Sequence, residues 1–267
     1  MKLSIITINL NNAQGLRKTI ESVVSQTFTN FEYIVIDGNS TDGSVDIIKQ
    51  YADKITYWIS EPDTGIYNAM NKGILKAQGE YCLFLNSGDS LVDNSVLEKV
   101  FAIPFFEDIV YGNVNLIGEN IRIAKKYPNE WTLRLFFDES LPHTASFIKR
   151  DLFFEIALYN ESYRIISDWE FFVLAIIIHQ KSYKHLPVFV SDFALIGLSS
   201  TSGITDIEKK KVIETHLKDL LPDLVLEFQR ELNRYKRSRI INLYDRFLSS
   251  KGLLKIYNLI MPKKKLK

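Results

Sequence analysis

The first 90 residues alternate short, almost uninterrupted apolar runs with amphipathic stretches, and this alternation constrains the fold more than any other feature. Leu3–Ile8 and Phe31–Ile36 read as strands that are apolar along nearly their whole length, a pattern that only a sheet covered on both faces can bury. Between them Leu16, Ile20, Val23 and Val24 recur at helical spacing. Ser44–Tyr51 predicts a second helix after the Asp42-Gly43 turn, and Ile55–Ile59 a third strand. Ile66–Ala77 predicts a third helix stopped by Gly79, and Tyr81–Leu85 a fourth strand. Strands and helices in strict alternation imply an α/β fold, a Rossmann-like, mostly parallel sheet flanked by helices.

Beyond residue 90 the pattern loosens. Ile109–Val114, Ile121–Lys125, Thr144–Ile148 and Tyr183–Val190 predict strands, and Trp131–Phe137, Asp151–Ala157 and Asp168–His179 predict helices. From about Ile207 the chain reads as helical and increasingly basic, so the expected division is a domain over 1–205 and a helical extension over 206–267. The net charge of +1 conceals this division. Residues 1–229 carry 21 Lys and Arg against 30 Asp and Glu, whereas residues 230–267 carry 12 against 2. Basic and apolar residues interleave in that tail, as in a segment lying on an anionic membrane surface. The plainer reading is a helix packed on the body or on a second subunit of a homodimer. An acidic body without a known module argues against nucleic acid.

Other classes are excluded by what the chain lacks. The single cysteine, Cys82, rules out an intrachain disulfide framework and a cysteine-rich zinc site. No apolar run approaches the ~18 residues of a membrane span, and the N-terminus has no signal-peptide pattern. A cytoplasmic protein is expected, with the tail as a candidate contact to the inner face of the membrane.

Open parallel sheets bind ligands at the carboxyl ends of their strands. Thr7 and Asn11 follow the first strand, Asp37–Asp42 the second, Glu61–Asp63 the third and Asn86–Asp89 the fourth. Neither a Gly-x-Gly-x-x-Gly run nor a P-loop follows the first strand, so nucleotide phosphates would need a cation held by carboxylate. Asp37 can accept a base N–H, while Asn39–Ser44 reads as a turn. Asp89, beside Gly88, suits a cation that keeps several waters, although Ser-Gly-Asp is also an ordinary turn. Asp168 and Glu170 open an apolar helix where the macrodipole alone would favour them; as a general base only one of them can serve a given spot, and the earlier is preferred. His143 precedes a strand and could touch a metal or diphosphate, or make a structural hydrogen bond.

Together these segments resemble family 2 glycosyltransferases, which have the GT-A fold. The matching stretches are Ser4–Thr7 with Asn11, Ser25–Phe28, Phe31–Gly43, Glu61–Gly73, Gly79–Tyr81, Phe84–Asp89 and Ser167–Glu170. The resemblance looks closest to bacterial members that build surface polysaccharides. It implies an inverting transfer of a sugar from a nucleotide diphosphate, UDP being favoured, to a hydroxyl of a saccharide or lipid-linked acceptor. By it Thr7, Asn11, Asp37, Lys72 and Asn86 contact the donor, with Asp37 on the base. It also implies that Asp89 holds Mn2+ or Mg2+ and that Asp168 is the catalytic base; Asp63, His143 and Glu170 are further candidates from their places in the sequence alone. Two positions depart from the family pattern. Asn86-Ser87-Gly88-Asp89 carries one carboxylate where the motif is usually rich in aspartate, and Ser167 stands where many members have glutamate.

The resemblance leaves two rivals. A sugar-1-phosphate nucleotidylyltransferase would want a Gly-rich, Arg-containing loop that Thr7–Asn12 does not supply. A non-enzymatic assembly scaffold with a decayed site draws on the depleted motif. The small, polar run Gly197–Gly203 reads either as a mobile lid over the donor or as a surface loop.

Overall fold

A computed structural model describes residues 1–195 and 202–218 of the 267-residue chain. The four expected strands are present as β1 (Leu3–Asn9), β2 (Phe31–Asp37), β3 (Tyr57–Ser60) and β4 (Tyr81–Phe84). They are joined by α1 (Ala13–Val24), α2 (Ser44–Gln50) and α3 (Ile66–Lys76). Every pairing among them is parallel, β1 lying between β2 and β4 with β3 outside β2.

Period-two side-chain alternation sends this half of the sheet into two cores. Ile6, Ile8, Ile34, Ile36 and Phe84 enter the core beneath α3. Leu3, Ile5, Tyr33, Val35 and Leu83 enter the core beneath α1 and α2. Each fully buried Ile or Leu contributes about 1.5–3 kcal/mol, so continuous apolar strands specify both faces. Helix α3 lies directly against β1 because Gly73 has no side chain; a Cβ there would collide with Ile6 Cγ2.

The second half contains β5 (Ser90–Leu91), α4 (Val96–Phe101), β6 (Ile109–Ile117), β7 (Arg122–Lys125), α5 (Leu133–Asp138) and β8 (Ser146–Lys149). It continues with α6 (Leu152–Glu155), α7 (Ser167–Val173, widening into a π turn over Leu174–Ile178), β9 (Tyr183–Ala194) and α8 (Ser202–Val212, widening over Ile213–Leu217). The sheet order is β3-β2-β1-β4-β8-β6-β9-β5, with β7 alongside β6. The sheet is parallel across its first four strands and mixed beyond them, since β8 runs antiparallel to both β4 and β6 while β9 is parallel to β6. This is the GT-A arrangement.

Several elements differ in detail from the sequence reading. β5 and α4 are two and six residues long, too short to leave a periodic signature. A 3₁₀ turn over His143–Ala145 delays the start of β8. β9 runs to Ala194, four residues past Val190, and its register against β6 shifts between Tyr111 and Val114.

Helix α8 begins at Ser202 and runs into the segment read as an extension, where Val212, Ile213 and Leu217 are buried in the same core as α3 and α7. Residues 219–267, including the most basic stretch, lie outside the described residues, as does the 197–201 part of the expected lid. Among the described residues no helix is long and apolar enough to cross a membrane.

Candidate active site

A cavity of about 1060 Å³ opens at the carboxyl ends of β1 and β4 and is closed on its far side by α7, β9 and the 158–166 loop. Its wall brings Asp63, Asn86, Asp89, His143 and Asp168 together from four separate segments, Asn86 and Asp89 sharing the loop after β4. Carboxylates from different strand ends in one cavity are the convergence that the sequence predicts.

Asp168 stands in the first turn of α7, with its side chain 17% exposed. Its Oδ2 lies 3.3 Å from His143 Nδ1, and its Oδ1 accepts from Tyr67 Oη at 2.9 Å. Burial alone would raise its carboxyl, but the His143 hydrogen bond and charge, with the Tyr67 bond, outweigh burial and hold Asp168 below the usual carboxylate range. The same pair works in reverse on the imidazole. Burial disfavours its charged form, yet the bond and charge of Asp168, helped by Asp89, raise His143 above its ordinary value. The ring is held further by an edge-on contact with Phe193, 5.8 Å between centroids.

The other ring nitrogen, Nε2, is 3.4 Å from Asn86 Nδ2, while Asn86 Oδ1 is buried without a partner. With this amide orientation Nε2 accepts and the neutral ring carries its proton on Nδ1, toward Asp168. Rotating the Asn86 amide by half a turn would offer Oδ1 to an Nε2–H, which suits the imidazolium.

Asp89 is 4% exposed. Its Oδ1 accepts from Ala194 N at 2.9 Å, a bond that exists because β9 is longer than its apolar core requires. Burial pushes its carboxyl up to about 6, against the opposing pull of the His143 charge and the Ala194 N–H. Among the described residues no three His, Cys, Asp or Glu side chains converge as a metal cage. A Mg2+ or Mn2+ that keeps its waters and takes ligand phosphate oxygens needs only one or two carboxylates. Asp89, with the unpartnered Asn86 Oδ1 nearby in sequence, fits a cation that arrives with a diphosphate.

The remaining predicted residues are distributed differently. Thr7 is fully buried in β1, its hydroxyl 3.0 Å from that of Tyr33, and is not on the cavity wall. Asn11, at φ 50°, accepts from Thr41 N at 2.9 Å and ties the β1 end to the turn after β2. Asp37 is fully buried and receives hydrogen bonds from Asn9, Ser40 and Ser60. Lys72 pairs with Glu61 at 2.7 Å and donates to Pro62 O. Asp63 lines the cavity, its Oδ1 accepting from Gly65 N. Glu170, two residues after Asp168, points away from the cavity and meets His216 Nε2 at 3.1 Å.

Three residues in and around the site are not among the sequence candidates. Tyr67 divides its single phenolic proton between Asp168 Oδ1 and Ile165 O, the latter at 2.6 Å. Glu161 accepts from Asn68 and Asn71, latching α3 to the loop before α7. Most distant in sequence is Glu208 of α8, 8% exposed. Its carboxylate accepts from Arg164 N at 2.7 Å and Ile165 N at 3.0 Å, so the same peptide segment is held by Glu208 on one side and Tyr67 on the other. Tyr67 lies inside a recognisable motif stretch, whereas nothing local marks Glu208.

Residues 4–165 match Glycosyl transferase family 2. A "PGL/p-HBAD biosynthesis glycosyltransferase" from Mycobacterium bovis (strain BCG / Pasteur 1173P2) is 33% identical over 221 residues, covering 80% of this chain and 85% of the relative. Among solved structures, S. aureus TarS 1-349 in complex with UDP-GlcNAc superposes with a TM-score of 0.63 at 19% identity. That match spans 76% of this chain and 61% of TarS 1-349. The mannosyltransferase PcManGT from Pyrobaculum calidifontis, in complex with GDP-Man and Mn2+, gives a TM-score of 0.57 at 14% identity, over 83% of this chain and 64% of that one.

Proposed function

This chain belongs to glycosyl transferase family 2, and on that premise we propose an inverting transferase that moves a sugar from a UDP-linked donor to a hydroxyl of a saccharide or lipid-linked acceptor in cell-surface polysaccharide synthesis. The observation that carries the reading is the single cavity in which Asp168, ionised and paired with His143, faces the ends of β1 and β4. The transfer needs one base. The acceptor oxygen attacks the anomeric carbon from the face opposite the diphosphate, and the C–O bond to the diphosphate breaks with its electron pair. The hydroxyl proton passes to Asp168, which His143 and Tyr67 hold in place. A carboxylate with a lowered pKa is weakly basic but fully ionised at neutral pH, and the hydroxyl grows acidic as its bond to carbon forms.

Asn86 and Asp89 lie where the diphosphate would sit. A divalent cation bound to Asp89 with the donor would offset charge on the leaving diphosphate. The mycobacterial relative's name and the bound nucleotide sugars of the two structural neighbours support the substrate class without specifying the sugar. The basic tail supports peripheral contact with an anionic membrane; removing residues 240–267 should then abolish binding to anionic vesicles.

A thermal-shift screen of nucleotide sugars with and without Mn2+ or Mg2+ tests the donor assignment. Stabilisation by a UDP-sugar that grows with cation is expected. An absence of response to every nucleotide sugar would contradict it.

A further inference from the structure

We propose that the corner of the sheet where β6 and β9 end and β7 begins seats the apolar aglycone of the acceptor, so that the enzyme takes an amphiphilic glycoside in preference to a free saccharide. The inference rests on the transferase reading of the cavity and narrows its acceptor class.

Strand register assembles this corner. The end of β6 is flanked by β7 and β9, with Leu116 opposite Ile123 on one side and Phe193 on the other. Partners in register project to the same face of a sheet, so these three side chains form an apolar row across three strands. Two more extend it around the hairpin. A Cβ built on Gly118 would lie 3.6 Å from Leu195 Cδ1 and 3.7 Å from Ile121 Cβ, so both flank the bare Gly118 backbone. Ile121, Ile123 and Leu195 are 54%, 51% and 41% exposed. The opposite face of the same strands is polar and internally paired: Asp192 Oδ1 accepts from Asn115 Nδ2 at 2.8 Å and from Arg122 Nη2 at 3.1 Å. A sheet face open to water ordinarily carries polar residues, and here the uncovered face on the cavity side carries the apolar ones.

Its position identifies the occupant. Leu116, Phe193 and Leu195 line the cavity itself. The Phe193 ring meets the His143 ring edge-on at 5.8 Å between centroids, and His143 Nδ1 is 3.3 Å from Asp168. The apolar surface therefore starts one imidazole away from the base and runs outward from it. An acceptor sugar with its hydroxyl at Asp168 can lay the group beyond the sugar on this row.

The corner offers that group little polar company. Lys125, the next residue on the same face of β7, is paired with Glu139 at 3.4 Å and lies 5.0 Å from the centroid of the Tyr127 ring, so its charge is engaged. Hydroxyls of an extended saccharide would lose water there without a partner on the row. An alkyl or aryl group instead removes both its own surface and the exposed isoleucines from water. A hairpin that dips into a membrane would also expose isoleucines, but it would not need the row to continue inward as far as His143. An aglycone does.

Initial-rate assays of the full-length protein test this, with the nucleotide sugar that stabilises it in the thermal-shift screen as donor. The acceptors are methyl and octyl glycosides of glucose, galactose, mannose and N-acetylglucosamine, below the micellar concentration. The sugar that accepts should show a KM at least about tenfold lower as its octyl than as its methyl glycoside, because each buried CH2 is worth up to about fourfold. Ile123→Ser combined with Leu195→Ser changes two exposed positions and should raise KM for the octyl glycoside about tenfold, through KM rather than kcat. The advantage over the methyl glycoside should then disappear. A wild-type octyl-to-methyl ratio within about twofold of one would overturn the inference, as would transfer to none of these glycosides. So would a double variant that keeps the wild-type ratio; if that variant also loses binding to anionic vesicles, the corner is a membrane contact instead. If no nucleotide sugar stabilises the protein, the transferase reading fails and this one with it; if one does and the ratio stays near one, only this one fails.

Discussion

The two halves of the sheet solve different problems. In β1 to β4 every pairing is parallel, and both faces of β1, β2 and β4 are buried while the edge strand β3 is half-buried, so the strand ends are aligned. That half presents Asn9, Leu10, Asp63, Asn86 and Asp89 to the cavity. The second half mixes directions, bends through a register shift in β6–β9 and supplies His143, Asp168 and Phe193 from a 3₁₀ turn, a helix start and a strand end. On the proposed reading, donor binding rests on the regular scaffold while the base is mounted on the irregular one. The irregular side is then held by long-range ties such as Tyr67 to Asp168 and Glu208 to the 164–165 peptide.

This division of labour can be broken by substitution. The largest expected effect is Asp168→Asn, which should reduce turnover about 10²–10⁴-fold with donor affinity unchanged by titration. A large loss of donor binding would blur the two halves. His143→Ala should follow, lowering kcat about tenfold and moving the acid limb of the rate profile upward. The sign follows from Asp168, whose carboxyl is held low against burial chiefly by His143 and rises when that group is removed.

Asp89→Asn should separate stability from function. Its carboxyl is held at about 6 against an ordinary 3.8. The folded state therefore binds the proton more tightly than the unfolded one, and the penalty for the buried charge is complete only above pH ~6. Asp89→Asn should accordingly raise stability by about 1–3 kcal/mol at pH 7.5 and gain little near pH 4. It should also remove the cation-dependent part of donor binding, and in the wild type that part should fade as pH drops below about 6. Parallel denaturant melts and titrations at the two pH values would show it.

The smallest expected effect tests whether α8 belongs to the catalytic unit. Glu208→Gln should cost a few-fold and Glu208→Ala about tenfold in kcat, with donor affinity intact, because one or both backbone bonds at 164–165 are lost. Steady-state assays below each variant's Tm separate this from unfolding.

The parallel half was the legible one. Continuous apolar strands and amphipathic helices of seven or more residues leave a periodicity that survives in the sequence, and Asn86, Asp89 and Asp63 could be placed from the strand-end rule alone. Asp168 lies in a motif stretch and His143 is marked only by its place before a strand, and their 3.3 Å approach could not be read because it depends on a 3₁₀ turn and on how α7 packs. Thr7 and Asp37 show the limit of the rule. Residues at a strand end alternate inward and outward, and these two are buried, Thr7 against Tyr33 and Asp37 among Ser40, Ser60 and Asn9. Glu208 was invisible because its partners are backbone N–H groups 44 and 43 residues away, which no side-chain pattern encodes.

The central claim is a one-step displacement served by one carboxylate base. The anomeric configuration of the first-formed product, read by NMR with the UDP-sugar identified in the thermal-shift screen, tests it most directly. An α-linked donor should give a β-linked product, and retention of configuration would contradict the account.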